Sequence, residues 1–238
     1  MIDIKNITVC YPDKTVGLKD FSLRVETGRC MGIVGANGAG KSTLLLTLCG
    51  VLLPQAGTVE IADILLRKQT LNDIRSRVGM VFQNPDDQLF MPTIYDDVAF
   101  GPRNFGKTEE EVGCIVDAAL IQCNIRHLKD RSPLRLSGGE KRMAAMAAVL
   151  SMQPQVLLLD EPSAFLDPRA RRNLMNLLKN LPQTKLIATH DLPLALELCD
   201  EVAVVQKGGV LLLGRPEDLF YDAQLMEQCG LEAIPARA

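Results

Sequence analysis

The residues best suited to chemistry lie between Gly35 and Thr43, "GANGAGKST", which fits G-x-x-x-x-G-K-[ST]. The apolar run "CMGIV" (Cys30 to Val34) precedes this stretch and "STLLLTLC" follows it, so the order is strand, glycine-rich turn, helix. Backbone N–H groups across Gly35, Ala36, Asn37, Gly38, Ala39 and Gly40 close around an anion, and the helix N-terminus adds positive partial charge. In such a cradle Lys41 bridges the outer phosphates of a nucleoside triphosphate, Ser42 binds Mg²⁺, and Thr43 completes the motif.

A phosphate cradle of this kind calls for a carboxylate on a second strand. "VLLLDEP" (Val156 to Pro162) supplies it. Four apolar residues bury the strand, and Asp160 lands at its carboxyl end, where open α/β sheets bind ligands. Asp160 suits Mg²⁺, held through water. Glu161 follows and is free to polarise an attacking water as general base. Three further polar residues stand beside apolar runs: Gln83 ends "VGMVFQ", His190 ends "KLIATH", and Asp167 sits in the turn "SAFLDP". Singly, each is a weak signal, and a strand-end His is more often a satisfied surface residue. Together they bring an amide, an imidazole and a carboxylate to the rim of one sheet, with Gln83 in reach of the metal or the water and His190 of the γ-phosphate.

A second pair of glycines lies in "LRLSGGEKRMAAMAAVL" (Leu134 to Leu150). Ser137 and Glu140 make the S-x-x-E capping box, and Met143, Met146, Ala147 and Leu150 follow at helical spacing as a buried stripe. Capping does not ask for Gly138 and Gly139, each of which costs about 1 kcal/mol relative to Ala inside a helix. Glycine there lets a phosphate from another molecule approach the backbone.

The elements that must position these groups follow from pattern. Short alternating runs over Ile2–Cys10, Phe21–Glu26, Cys30–Val34 and Gly57–Asp63 predict strands, with one helix from Lys41 to Cys49 among them. A strand is predicted to end at Gln83. Residues 84–135 hold no strand pattern, carry several Pro and Gly, and predict a helix only from Glu109 to Cys123. After residue 150, apolar runs alternate with helical segments, which predicts parallel strands buried on both faces.

Composition narrows the class. The 238 residues are 47% hydrophobic, enough for a full core, and the net charge of −3 argues against a general nucleic-acid binder. Seven cysteines without a C-x-x-C pair read as buried thiols in a reducing compartment. The N-terminus reads as a strand, not a signal peptide, and the longest apolar stretch, Leu44 to Leu53, is about half of what spans a bilayer. Membrane association would therefore come through a partner.

With these motifs in this order, the chain resembles the ATP-binding-cassette (ABC) ATPases over nearly its whole length. The resemblance rests on Tyr11, the loop Gly35–Thr43, Gln83, the signature Leu136–Glu140, the Asp160–Glu161 strand and His190. It implies one ABC ATPase domain over 1–238. Residues 1–83 and 151–238 would form an α/β P-loop core with a mostly parallel sheet and an N-terminal antiparallel β-subdomain, and 84–150 an inserted α-helical subdomain. The cofactors implied are ATP and Mg²⁺. Tyr11 would stack on adenine. Ser137, Gly138, Gly139 and Glu140 would contact the γ-phosphate held by another subunit's loop in a head-to-tail dimer with itself or a homologous ATPase subunit, and Asp167 would couple the two sites. Glu140 departs from the family's usual Gln, and Lys141 and Arg142 stand close enough to offset its charge.

The stretch from Gln83 to Gly106, "QNPDDQLFMPTIYDDVAFGPRNFG", resembles ATPase subunits of energy-coupling-factor transporters, which import vitamins and transition-metal ions such as cobalt and nickel. The resemblance implies a peripheral protein on the cytoplasmic face of the membrane. Asp86, Asp87, Asp96 and Asp97 would receive basic coupling helices of an integral membrane subunit, with a substrate-binding membrane subunit engaged indirectly and no nucleic acid. The rivals are a cytosolic ABC ATPase without a membrane partner, such as one serving iron–sulfur cluster assembly, and a non-hydrolysing regulatory module. A chromosome-organising ATPase is excluded, since roughly 90 residues between loop and signature leave no room for a long coiled coil.

Overall fold

The strongest apolar runs, "CMGIV", "VLLLD" and "TKLIAT", become strands β3 (Cys30–Val34), β7 (Val156–Asp160) and β8 (Thr184–Thr189), nearly every residue of which is buried. A computed structural model describes residues 1–235 of the chain. It divides into two compact units, the first holding 1–80, 155–161 and the residues from 182 on, the second 81–154 and 162–181. The two sheets of the first unit are an antiparallel one and a mostly parallel one, and the second unit is helical, so the fold is α/β.

In the first unit, β1 (Ile2–Cys10) pairs antiparallel with β2 (Val16–Val25) and β4 (Ala56–Ile61), and β5 (Ile64–Leu65) completes the order β2-β1-β4-β5. The inward face of β1 changes parity from Ile2 and Ile4 to Ile7 and Val9. Asn6, at φ +49°, sits where the pairing with β2 slips, which is how a bulge resets the alternation. The larger sheet has the order β10-β9-β3-β8-β7-β6, with β6 at Val78–Val81, β9 at Glu201–Gln206 and β10 at Gly209–Gly214. Strand β3 lies parallel between β8 and β9, and β8 lies parallel to β7. The last hairpin departs from the parallel expectation: β10 runs antiparallel to β9, because only Lys207 and Gly208, both at positive φ, connect them. Helices α1 (Lys41–Leu48), α2 (Leu71–Arg77), α7 (Leu192–Leu198), α8 (Pro216–Leu219) and α9 (Ala223–Gln228) complete this unit.

The second unit holds α3 (Ile94–Asn104), α4 (Glu109–Gln122), α5 (Gly138–Leu150) and α6 (Pro168–Asn180). Pattern alone does not show α3, because Gly101 and Pro102 interrupt it. Pro102 has no N–H for the carbonyl four residues back, Val98, and the Ser151 hydroxyl donates to that carbonyl at 2.9 Å instead. Helix α6 joins this unit through packing on α5, where Gly139 meets Ala170. Strand β6 stops at Val81, two residues before the expected Gln83, because side chains described below take up the backbone groups of Phe82 and Gln83.

Candidate active site

Sheet register assembles the site of the first unit. Val34 pairs with Thr189 and Asp160 with Ala188, so β3, β8 and β7 end side by side. The loop after β3 turns through Gly40, at φ +111°, where a Cβ would meet the Gly17 carbonyl at 2.8 Å. Only glycine fits there, and it opens α1 with Lys41 as first residue. Ala36, Asn37 and Gly38 are exposed along the cradle. Lys41, 8% exposed, donates to Gly35 O at 2.7 Å and Ala36 O at 3.3 Å and lies 4.0 Å from Glu161 Oε1. A phosphate in the loop would exchange for those carbonyl contacts.

Ser42 hydrogen-bonds the Asp160 carboxylate. Burial raises the Asp160 pKa, the Ser42 bond opposes this, the Glu161 charge adds to it and Lys41 lowers it again. A hydroxyl and a carboxylate sharing one hydrogen bond are an all-oxygen donor pair of the kind Mg²⁺ takes, so the residues fit that ion. Tyr11 hydroxyl and Thr43 Oγ1 are 2.9 Å apart, which sets the aromatic ring at the head of α1.

Glu161 is not free, as its position in sequence suggested. It is 7% exposed, at φ +42°, with its N–H donating to Ala188 O at 2.8 Å. Oε2 accepts from Thr189 Oγ1 at 3.0 Å and from the His190 N–H at 3.3 Å, while Oε1 lies 2.8 Å from His190 Nδ1. Thr189 carried no motif signal: a β-branched residue in a strand reads only as a strand former. His190 stands one residue beyond β8 with an exposed side chain. The loop residues 35–37, His190 and residues 230–235 border a cleft of about 620 Å³.

The remaining candidates lie in the second unit. Ser137 caps α5 as expected: its backbone N–H donates to Glu140 Oε2 at 2.8 Å, and its hydroxyl accepts from Glu140 N at 3.4 Å. That cap holds the Glu140 carboxyl below its ordinary range. The two glycines divide. A Cβ on Gly139 would sit 2.6 Å from Ala170 Cβ, so packing on α6 requires this glycine. A Cβ on Gly138 would meet nothing nearer than Phe165 O at 4.0 Å. Of the two, only Gly138 has open space at its Cβ position. Asp167 caps α6 by accepting from Ala170 N at 2.8 Å. Ser137, Gly139, Glu140 and Asp167 border a cleft of about 650 Å³.

Lys141 and Arg142 do not offset Glu140: Lys141 pairs with Asp86 at 2.6 Å, and Arg142 is buried against the carbonyls of Phe82 and Gln83. Met143 is only half-buried, and Arg142 takes part in the inward stripe. Of the four aspartates of 83–106, Asp86 and Asp87 are exposed, and Asp96 and Asp97 are not. Asp86 is paired, Asp96 holds Thr93 and lies 3.6 Å from Arg103, and Asp97 is buried, accepting from Phe90 N and Met91 N at 3.0 Å each. Burial raises the Asp97 pKa. The segment also exposes aromatic surface: Phe82, Phe90, Phe100 and Phe105 are each more than a third exposed, and Phe90 stands edge-on to Phe100.

The sequence pattern of the family described as "ABC transporter" matches residues 18–164. A Geobacter sulfurreducens chain named provisionally as an ABC transporter ATP-binding protein is 49% identical over 98% of this chain and 93% of its own. An energy-coupling factor transporter ATP-binding protein, EcfA, of Methanothermobacter thermautotrophicus is 40% identical over 97% of this chain and 76% of its own. Among solved structures, cbiO1 of Clostridium perfringens, described as part of the ABC transporter complex cbiONQ, superposes with a TM-score of 0.85 at 37% identity, over 95% of this chain and 93% of that one. With the family pattern over more than half of its length and these relatives over nearly all of it, the chain belongs to the ABC transporter family, as an ATP-hydrolysing cassette of energy-coupling-factor type that uses ATP with Mg²⁺.

Proposed function

We propose that this chain is the ATPase subunit of an importer, driving uptake of a transition-metal ion such as cobalt or nickel, or of a vitamin, through membrane partner subunits. The observation that carries this reading is 40% identity to energy-coupling-factor ATP-binding chains over 97% of the sequence, joined by the cbiO1 likeness. Among the described residues no helix is long and apolar enough to cross a membrane. In this reading the partners supply the pathway and this chain works at the cytoplasmic face.

In this reading two copies, or one copy and a homologous subunit, close head to tail on ATP. Two solved structures of one relative, the cassette MJ0796, matching at 27% and 28% identity, are described as dimeric, one of them bound to ADP and Pi. Phe165, 91% exposed beside Gly138, and Leu134, 87% exposed, offer apolar surface near the signature. Lys41 and the loop amides hold the phosphates, and Ser42 and Asp160 hold Mg²⁺, which supplies charge neutralisation when bound. Glu161 takes the proton of the attacking water, and His190 exchanges its Glu161 contact for the γ-phosphate. Gln83 is assigned to the metal or the water, Tyr11 to adenine, Asp167 to coupling between sites, and Ser137, Gly138, Gly139 and Glu140 to the partner's nucleotide, on motif order. The exposed phenylalanines of 82–105 receive the membrane subunit, replacing the acidic surface inferred from sequence.

Purification from native membranes tests this. Recovery with a small integral membrane protein and a substrate-binding one supports the importer; soluble partners only would sink it. Substituting Phe90 and Phe100 by Ser should release the membrane partner while ATP hydrolysis persists.

A further inference from the structure

Arg142 is 1% exposed, yet among the described residues no carboxylate pairs with it. Its guanidinium donates to two consecutive carbonyls, Phe82 O and Gln83 O, each at 2.5 Å, and its Nε has no acceptor. Burial lowers its pKa to about 10, which leaves it charged at neutral pH. A buried charge held only by carbonyls is a costly way to fill core volume, and an apolar side chain would pack there at less cost. What it achieves that an apolar residue would not is to fix the backbone of the loop after β6.

A second side chain does the same from the other edge. Gln88 Oε1 accepts from Phe82 N at 3.3 Å, and its Nε2 donates to Ala145 O, on the same helix as Arg142, at 2.9 Å. Both backbone groups of Phe82 and the carbonyl of Gln83 are thereby tied to α5. The Gln83 residue itself is exposed.

We propose that Arg142 and Gln88 are positioning residues that staple the loop of Gln83 to the helix opening with Ser137–Glu140, so that the two motifs move as one body. A displacement of Gln83 on nucleotide binding then carries the signature with it, which links one nucleotide to the site that this signature completes on the facing subunit. The proposal rests on the role assigned to Gln83 above.

The test uses the full chain with Arg142→Met, Gln88→Leu and Gln83→Ala, singly and as the pairs Gln83→Ala/Arg142→Met and Gln83→Ala/Gln88→Leu. Without nucleotide, amide exchange over 82–88 should quicken about fivefold or more in both staple variants, the loss of one net hydrogen bond. Their kcat should fall about as far as that of Gln83→Ala, with the Kd for ATP within about twofold, and each double variant should be no worse than its worse parent. Arg142→Lys should recover part of the loss. If Arg142→Met does not fold, the Gln88→Leu cycle decides alone. Additive losses, or unchanged exchange, overturn the staple while leaving Gln83 its role; a Gln83→Ala enzyme with normal kcat overturns both.

Discussion

Glu161 Oε1 and His190 Nδ1 lie 2.8 Å apart, with Glu161 almost fully buried and His190 open to solvent. At that distance the ring N–H donates to the carboxylate, so before nucleotide binds the residue assigned as general base is held by the residue assigned to the γ-phosphate. Glu161→Gln keeps the shape and an acceptor for His190 but cannot take a proton. ATP binding should persist, turnover should fall at least about a hundredfold, and an ATP-bound dimer should accumulate in sedimentation. Normal hydrolysis by this variant would remove Glu161 as base.

Thr189 makes a second aiming contact. Fully buried, it donates to Glu161 Oε2 and accepts from Asp191 N, each at 3.0 Å. Thr189→Val has the same outline but strands the Asp191 N–H, at a cost of about 1–3 kcal/mol. We expect kcat down about tenfold, KM for ATP within twofold, and recovery in Thr189→Ser. Equal kcat in Val and wild type would show that Oε2 needs no aiming.

Asp160 trades stability for function. Burial raises its folded pKa above the unfolded value, so its proton favours folding at low pH and that contribution is lost as pH rises through the folded pKa. At neutral pH the ionised carboxylate opposes folding. Without Mg²⁺, Asp160→Asn should therefore raise the thermal midpoint at neutral pH, with the gap closing in acid. Mg²⁺ with ATP should then stabilise wild type more than the variant. A lower midpoint for Asp160→Asn at neutral pH without Mg²⁺ would contradict this account.

What sequence made legible was local chemistry: the loop at 35–43, the adjacent acids at 160 and 161, and the box joining Ser137 to Glu140 each lie within a few residues of chain. What it hid was long-range hydrogen bonding. Helix α3 survives Pro102 because Ser151 serves Val98, a partner no periodicity marks. Arg142 looked like a surface charge near Glu140, whereas its acceptors are backbone carbonyls, which every residue has and no pattern singles out. Asp97 looked like part of an acidic face and is a buried acceptor for two peptide N–H groups.

The signature glycines give the sharpest separation of packing from partnership. Gly139→Ala drives a methyl to 2.6 Å from Ala170 Cβ, so α5 and α6 must part. Overpacking of this kind costs about 1–3 kcal/mol, and the variant should lose stability and activity together. Gly138→Ala meets open space at a helical position and should be neutral or gain up to about 1 kcal/mol. Gly138→Leu should also fold, bind ATP as a monomer with unchanged Kd, and yet fail to dimerise or hydrolyse, because the obstruction falls on the partner's nucleotide. Adding a hydrolysis-dead Lys41→Ala chain with an intact signature should rescue one site of such a mixed dimer. Full hydrolysis by Gly138→Leu alone would mean that the signature does not complete a facing site.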